Sequence, residues 1–163
     1  MKVLIVYDTK YGNTEKVAKL IAEGINFTNG NEAIVNNVKD VNLKKEASYD
    51  LILIGSPVHF GKHVGSVKKF INKLPKSQLK VNTYSIFNTY MGEDPETTEE
   101  GICYYKKMLD KMDKQINEMM SNLTKLSSPL SIKVAGMKGP ILDEELPKCK
   151  DFGIKLVQGY KSL

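Results

Sequence analysis

The chain has 163 residues, with 24 basic residues against 19 acidic ones and a formal net charge of +5. Every basic residue is a lysine, which excludes an arginine finger, a Cys-x5-Arg phosphatase loop and an arginine fork on guanine, since each needs the planar guanidinium. The length suits one domain spanning 1–163, and 41% apolar with 26% charged residues fits a globular chain rather than a disordered one.

The amino-terminal stretch MKVLIVYD holds too short an apolar run for a signal peptide, and no run of ~18 apolar residues follows. The expectation is a cytoplasmic chain with no membrane span. Val3 to Tyr7 is a continuous apolar run rich in branched residues, the pattern of a strand buried on both faces. The polar loop Thr9-Lys10-Tyr11-Gly12-Asn13-Thr14 follows. It runs into a helix with Val17, Leu20, Ile21 and Ile25 at helical spacing, for which Asn13 or Thr14 is the expected cap and Glu15 suits the positive first turn.

Ala33 to Val38 reads as a weaker strand, its asparagines suiting a sheet edge. Leu51 to Gly55 repeats the buried-strand pattern and leads through Ser56–Gly61 into a helix carrying Val64, Val67, Phe70, Ile71 and Leu74 on one face. A fourth strand is expected over Val81–Asn88. Next comes a long amphipathic stretch from Glu99 to Leu126, with Ile102, Tyr105, Leu109, Met112, Ile116, Met119 and Leu123 at spacings of three and four. As one helix it would run roughly 40 Å, longer than a typical strand of about 17–20 Å, so its overhang could form a dimer seam; a helix packed on its own sheet, whole or broken in the middle, is the simpler reading. A fifth strand is expected over Ile132–Gly136, and a last helix from about Asp143 turns Cys149, Phe152, Leu156 and Tyr160 inward. Alternation of strands and helices predicts a doubly wound parallel α/β sheet with helices on both faces. Cys103 and Cys149 are too few and too far apart for a zinc site or disulfide framework, and both read as buried thiols.

In such folds, ligands bind beyond the carboxyl ends of the strands, at the switch point of strand order. Three loops leave such ends. The first offers the hydroxyls of Thr9, Tyr11 and Thr14 with Gly12 at a helix amino terminus, a natural anion site. The second carries Pro57, His59 and Phe60, and the third Asn88, Thr89 and Tyr90. A phosphate cradle flanked by two aromatic loops describes a site for a phosphorylated planar cofactor. Neither His59 nor His63 has the carboxylate or cysteine spacing of a metal site; His59 reads as a packing group or a proton relay.

Thr9-Lys10-Tyr11-Gly12-Asn13-Thr14 resembles the phosphate loop of flavodoxins, a Thr/Ser-x-x-Gly-x-Thr pattern, and the likeness extends over essentially the whole chain. Gly55-Ser56-Pro57-Val58-His59-Phe60-Gly61 resembles the second flavin loop of the wider family, which includes FMN-dependent quinone reductases and protoporphyrinogen dehydrogenases. The resemblance implies a five-stranded sheet in the order 2-1-3-4-5 and FMN as cofactor. It implies that Thr9, Lys10, Tyr11, Gly12, Asn13 and Thr14 hold the phosphate. Ser56, Pro57, Val58, His59, Phe60 and Gly61 would line one side of the isoalloxazine, and Asn88, Thr89, Tyr90 and Gly92 the other, with Tyr90 as the stacking candidate.

The implied function is electron transfer between redox partners, with no catalytic residue and no metal. The alternative is an FMN-dependent oxidoreductase acting on a quinone, porphyrinogen or similar acceptor. Unlike typical carriers of the family, the chain is basic and has no tryptophan. Residues 51–92 contain six lysines and no acid, whereas 93–100 contain five acids and no lysine. The expected partner is therefore an acidic redox protein or a small-molecule acceptor rather than nucleic acid, with the chain a monomer or dimer. A response regulator lacks its acceptor aspartate here, and the G-x-G-x-x-G dinucleotide fingerprint is absent.

Overall fold

The computed structural model describes residues 1–92 and 104–162; Cys103 and the acidic run over 93–100 lie outside them. In chain order the elements are β1 (Lys2–Tyr7), α1 (Asn13–Asn26), β2 (Glu32–Asn37), β3 (Ala47–Ser48), β4 (Leu51–His59), β5 (Lys62–His63), α2 (Gly65–Lys73), β6 (Leu79–Lys80), β7 (Thr83–Tyr90), α3 (Tyr104–Met119), β8 (Thr124–Lys125), β9 (Leu130–Lys133) and α4 (Leu146–Tyr160). The main sheet runs β2-β1-β4-β7, with β8 and β9 both parallel to β7 at its far side. This is the order 2-1-3-4-5 with its last strand in two short pieces. β2, with Asn36 and Asn37, is the edge strand the sequence suggests.

The apolar runs of β1 and β4 are continuous because both faces of the sheet are covered. Val3, Ile5 and Tyr7 join Leu51 and Leu53 in a core under α1 and α4. Leu4, Val6, Ile52 and Ile54 face the other way, against Val67, Phe70 and Ile71 of α2 and Met108, Met112 and Ile116 of α3. Cys149 sits in the first of these cores, where burial pushes its thiol up to about 12.

Three sequence-based expectations need correcting. The stretch to Leu126 is not one helix: α3 ends at Met119, a turn closed by Leu123 N–H on Met120 O (3.0 Å) follows, and Leu123 folds back into the second core. Its apolar spacing beyond Met119 thus reflects a return to the core rather than an overhang at the carboxyl end of α3. The fifth strand starts earlier than Ile132 and is interrupted, since polar, exposed Thr124 and Lys125 pair with Thr83 and Tyr84 before Leu130–Lys133 takes up the ladder. Third, neither Asn13 nor Thr14 caps α1; the preceding residue is Gly12 at φ 90°, and no side chain caps the helix.

Where α1 and α4 cross, both helices carry a glycine. A Cβ on Gly24 would lie 2.1 Å from Lys150 O, and one on Gly153 would lie 2.3 Å from Ile21 O. The obstacle is backbone in each case, so it cannot rotate away. Gly153→Ala is therefore expected to lower stability by about 1–3 kcal/mol through overpacking. The check is the urea midpoint at unchanged slope; an unshifted midpoint would show that the helices separate freely.

Candidate functional site

Because β1, β4, β7 and β9 are parallel, their carboxyl ends open on one edge of the sheet, and the chain leaves β1 and β4 toward opposite sides. A half-open cavity lies there. Thr9, Lys10, Tyr11, Asn13 and Thr14 of the first loop line it, with Pro57, Val58 and His59 of the second and Thr89 and Tyr90 of the third. Gly12, Ser56, Phe60, Gly61, Asn88 and Gly92 are not among its lining residues. Met91, Val134 and Met137 line it as well, and sequence reasoning passed over them. Val134 and Met137 belong to the loop after β9, which must open on the same edge as the others in a parallel sheet.

The first loop is built around Thr9 and Gly12. Thr9 Oγ1 accepts the Gly12 N–H at 2.9 Å, and the αL conformation of Gly12 turns the chain into the helix. The helical ladder starts with Lys16 N–H on Gly12 O at 2.9 Å. The N–H groups of Asn13, Thr14 and Glu15 precede that first bond and have no acceptor within the helix, nor a side-chain cap. Together with the positive end of the helix dipole, they make a strong attraction for an anion.

Thr14 Oγ1 and Thr89 Oγ1 lie 2.9 Å apart, and the two residues are only 1% and 4% exposed. Two hydroxyls joined by one hydrogen bond spend one proton between them, so the second proton is left to donate. Asn88, fully buried beside them, donates to Tyr105 O at 3.1 Å, while its Oδ1 has no partner among the described residues. The hydroxyl pair thus leaves a spare donor on the cavity wall, with an orphaned acceptor buried behind it.

The second loop is a hairpin in which Val58 pairs with His63 and His59 with Lys62. Its two central residues, Phe60 (φ 49°) and Gly61 (φ 66°), both have positive φ, as a tight two-residue hairpin demands. That conformation is costly for phenylalanine, and the ring is 98% exposed at the tip rather than in the cavity. Ser56 anchors the hairpin from below: its Oγ donates to Pro57 O at 2.9 Å and accepts Val64 N–H at 3.1 Å. Ser66 Oγ donates to Asp8 Oδ2, while Asp8 Oδ1 accepts Thr9 N–H at 2.8 Å, so the first loop is tied to the first turn of α2 just beyond the hairpin.

In the third loop Tyr90 stacks on Tyr105 of α3, with ring centroids 4.1 Å apart and planes 23° from parallel. Tyr105 is thus a backing for Tyr90 rather than a core residue of the helix stripe. The fourth loop closes on the first, where Tyr11 Oη lies 3.6 Å from Met137 Sδ and Gly139 sits against Asn13.

His63 lies behind the hairpin, its Nε2 2.6 Å from Gln115 Oε1. Burial lowers its pKa, and the nearby charges of Lys68 and Lys111 lower it further, against the opposing effect of the Gln115 bond. A histidine whose pKa is depressed on folding binds protons more readily when unfolded, so its contribution is intact above the ordinary value of about 6.5 and is lost as pH falls below it. His63→Gln is therefore expected to reduce the loss of stability between about pH 7 and 5, read by urea unfolding at both pH values. An unchanged pH dependence would show that His63 titrates equally in both states.

Residues 4–128 match the family model for the flavodoxin domain. An uncharacterized protein of Methanocaldococcus jannaschii is 40% identical over 86 residues, which cover 52% of this chain and 53% of that protein. A flavodoxin of Aquifex aeolicus is 35% identical over 71 residues, covering 44% of this chain and 38% of its own. The chain thus spans about half the length, or less, of these curated relatives. Among solved structures, one described as a flavodoxin from the domain Archaea superposes with a TM-score of 0.74 at 24% identity, over 99% of both chains. Among the described residues no helix is long and apolar enough to cross a membrane.

Proposed function

Because this chain belongs to the flavodoxin family, whose members bind FMN, we propose that its cavity holds FMN and that the protein, a single domain over 1–163, carries electrons between redox partners. The observation that carries this reading is the buried Thr14–Thr89 hydroxyl pair beside the uncapped amino end of α1. A phosphate monoester needs several donors at close quarters. Here they are the free N–H groups of Asn13, Thr14 and Glu15, the unspent hydroxyl proton, and the hydroxyl of Thr9, with Lys10 on the cavity rim as a point charge. None of these needs a guanidinium, which accords with a chain that has no arginine.

Bound FMN supplies the electron chemistry, and the protein supplies binding, orientation and electrostatics. Tyr90, backed by Tyr105, offers a flat aromatic wall on one side of the isoalloxazine. Pro57, Val58 and His59 form the opposite wall. Phe60, at the hairpin tip, serves as an apolar contact for a docking partner rather than as part of the ring pocket.

The partner is an acidic redox protein. Lys69 and Lys73, four residues apart on α2, present exposed charge beside Lys39, on the face of α2 turned toward the β2 side. Such fields steer encounter more than they add affinity. Electron transfer to an acidic acceptor protein should slow as salt rises from about 0.01 to 0.15 M, where the screening length falls from about 30 to 8 Å. A rate indifferent to salt would overturn the acidic partner.

For the cofactor site, Thr14→Val removes the donor without changing the shape of the side chain. It is expected to weaken FMN binding by about 1–3 kcal/mol, or roughly 5- to 150-fold in Kd, read by quenching of flavin fluorescence. An unchanged Kd would reject the assigned phosphate loop. Reductive titration in two well-separated one-electron steps would support the carrier. Sustained NAD(P)H-driven turnover of a quinone with no partner protein would instead support an oxidoreductase.

A further inference from the structure

Behind the flavin-loop hairpin lies a second cleft, between β5, α2 and α3, with an open volume of about 950 Å³. Gln115 is on its lining, with both amide N–H groups and the carbonyl engaged. Gln115 Nε2 donates to Lys68 O at 3.0 Å and to Asn72 Oδ1 at 2.7 Å, which fixes which end of the amide is which. Oε1 therefore faces His63 Nε2, and since a carbonyl only accepts, the imidazole proton must sit on Nε2. His63 Nδ1 is left as a bare acceptor, buried and without a partner among the described residues.

Lys62, Lys68, Lys111 and Lys114 line the same cleft, with Glu118 as its one acidic lining residue. Glu118 is engaged by Lys114 at 3.9 Å, and Lys111 Nζ is held by Gly61 O at 3.2 Å. With four lysines and a single carboxylate on its lining, the cleft carries a net positive charge that an anion would offset. Met119 is the one large apolar side chain among the lining residues, and no aromatic ring is among them to stack on a planar group. The remaining recognition is of dense negative charge, which lysine meets as a point charge.

We propose that this cleft is a binding site for a pyrophosphate-class anion, separate from the phosphate loop and independent of whether FMN fills the first cavity. With the anion in place, the lysine charges that oppose protonation of His63 are neutralised. The imidazole then takes up a proton at Nδ1 as the anion binds, and the pairing of His63 with Val58 and the Lys111 bond to Gly61 O link the event to the flavin-loop hairpin. The charged groups facing it are Lys62 from its own strand, Lys68 from α2, and Lys111, Lys114 and Glu118 from α3.

Inorganic pyrophosphate, titrated into the full chain at constant ionic strength and followed by proton NMR of the two histidines, tests this. The expected result is a saturable shift at His63, with its titration midpoint raised by about half a unit or more. Lys68→Gln combined with Lys111→Gln should weaken binding about tenfold or more, whereas Thr14→Val should leave it unchanged. Loss of binding in Thr14→Val would relocate the anion to the phosphate loop and overturn the site. So would a His63 shift reproduced by sodium chloride alone. Tighter binding of ADP than of pyrophosphate would reveal a grip on the base or sugar and overturn the simple-anion reading, whereas equal or weaker binding of ADP would support it. A polyglutamate peptide that binds tighter than either would overturn the small-anion reading in favour of an acidic protein segment.

Discussion

The amino end of α1 is the constraint from which the rest of the site follows. A helix that starts without a side-chain cap leaves donors pointing along its axis, and burying them unmet costs free energy comparable to lost hydrogen bonds. Gly12 in the αL conformation makes this arrangement possible, and the Thr14 hydroxyl meets Thr89 instead of capping the helix. The helix start is thereby reserved for something outside the chain. Everything around it keeps that end in place: β1 delivers it, the α1–α4 glycine crossing fixes the helix beneath it, and the loop after β9 closes against it through Met137 and Gly139.

The other two loops are held in different ways. The hairpin is stiff, with a positive φ forced on Phe60 and Ser56 bonded on both sides of the turn. The third loop is held by stacking and by Asn88, which ties the end of β7 to the first turn of α3 through Tyr105. One wall of the cavity is thus set by backbone geometry and the other by aromatic packing. A stiff wall is suited to keeping the electrostatics of a redox group constant, because preorganised dipoles need no rearrangement.

Much of the architecture was legible in the sequence because the strands are buried on both faces, which leaves unbroken apolar runs such as Val3–Tyr7 and Leu51–Ile54. The first loop was legible for a related reason: hydroxyls and a glycine before an amphipathic helix have few other uses. The end of α3 was not, because Leu123 keeps helical spacing while a turn brings it back to the core. β8 was not, because two exposed polar residues give no alternation to read. Tyr105 looked like a core position and proved to be the support of Tyr90, a distinction that rests on a contact 15 residues away in sequence. Val134 and Met137 required knowing that the last strand ends on the same edge as the others.

The lysines follow the same division of labour. Adjacent residues on α2 point to different sides, Lys69 toward an open face and Lys68 into the cleft with Gln115, so one short helix serves two surfaces of different character. Neither surface is needed for the claim on which the functional account rests, that the cavity at the strand ends takes FMN. The most direct measurement is the absorbance spectrum of the purified protein, before and after FMN is added to flavin-depleted material. The account predicts flavin bands that are perturbed on binding, with saturable, stoichiometric uptake. A protein that shows no such bands and takes up no FMN would contradict it.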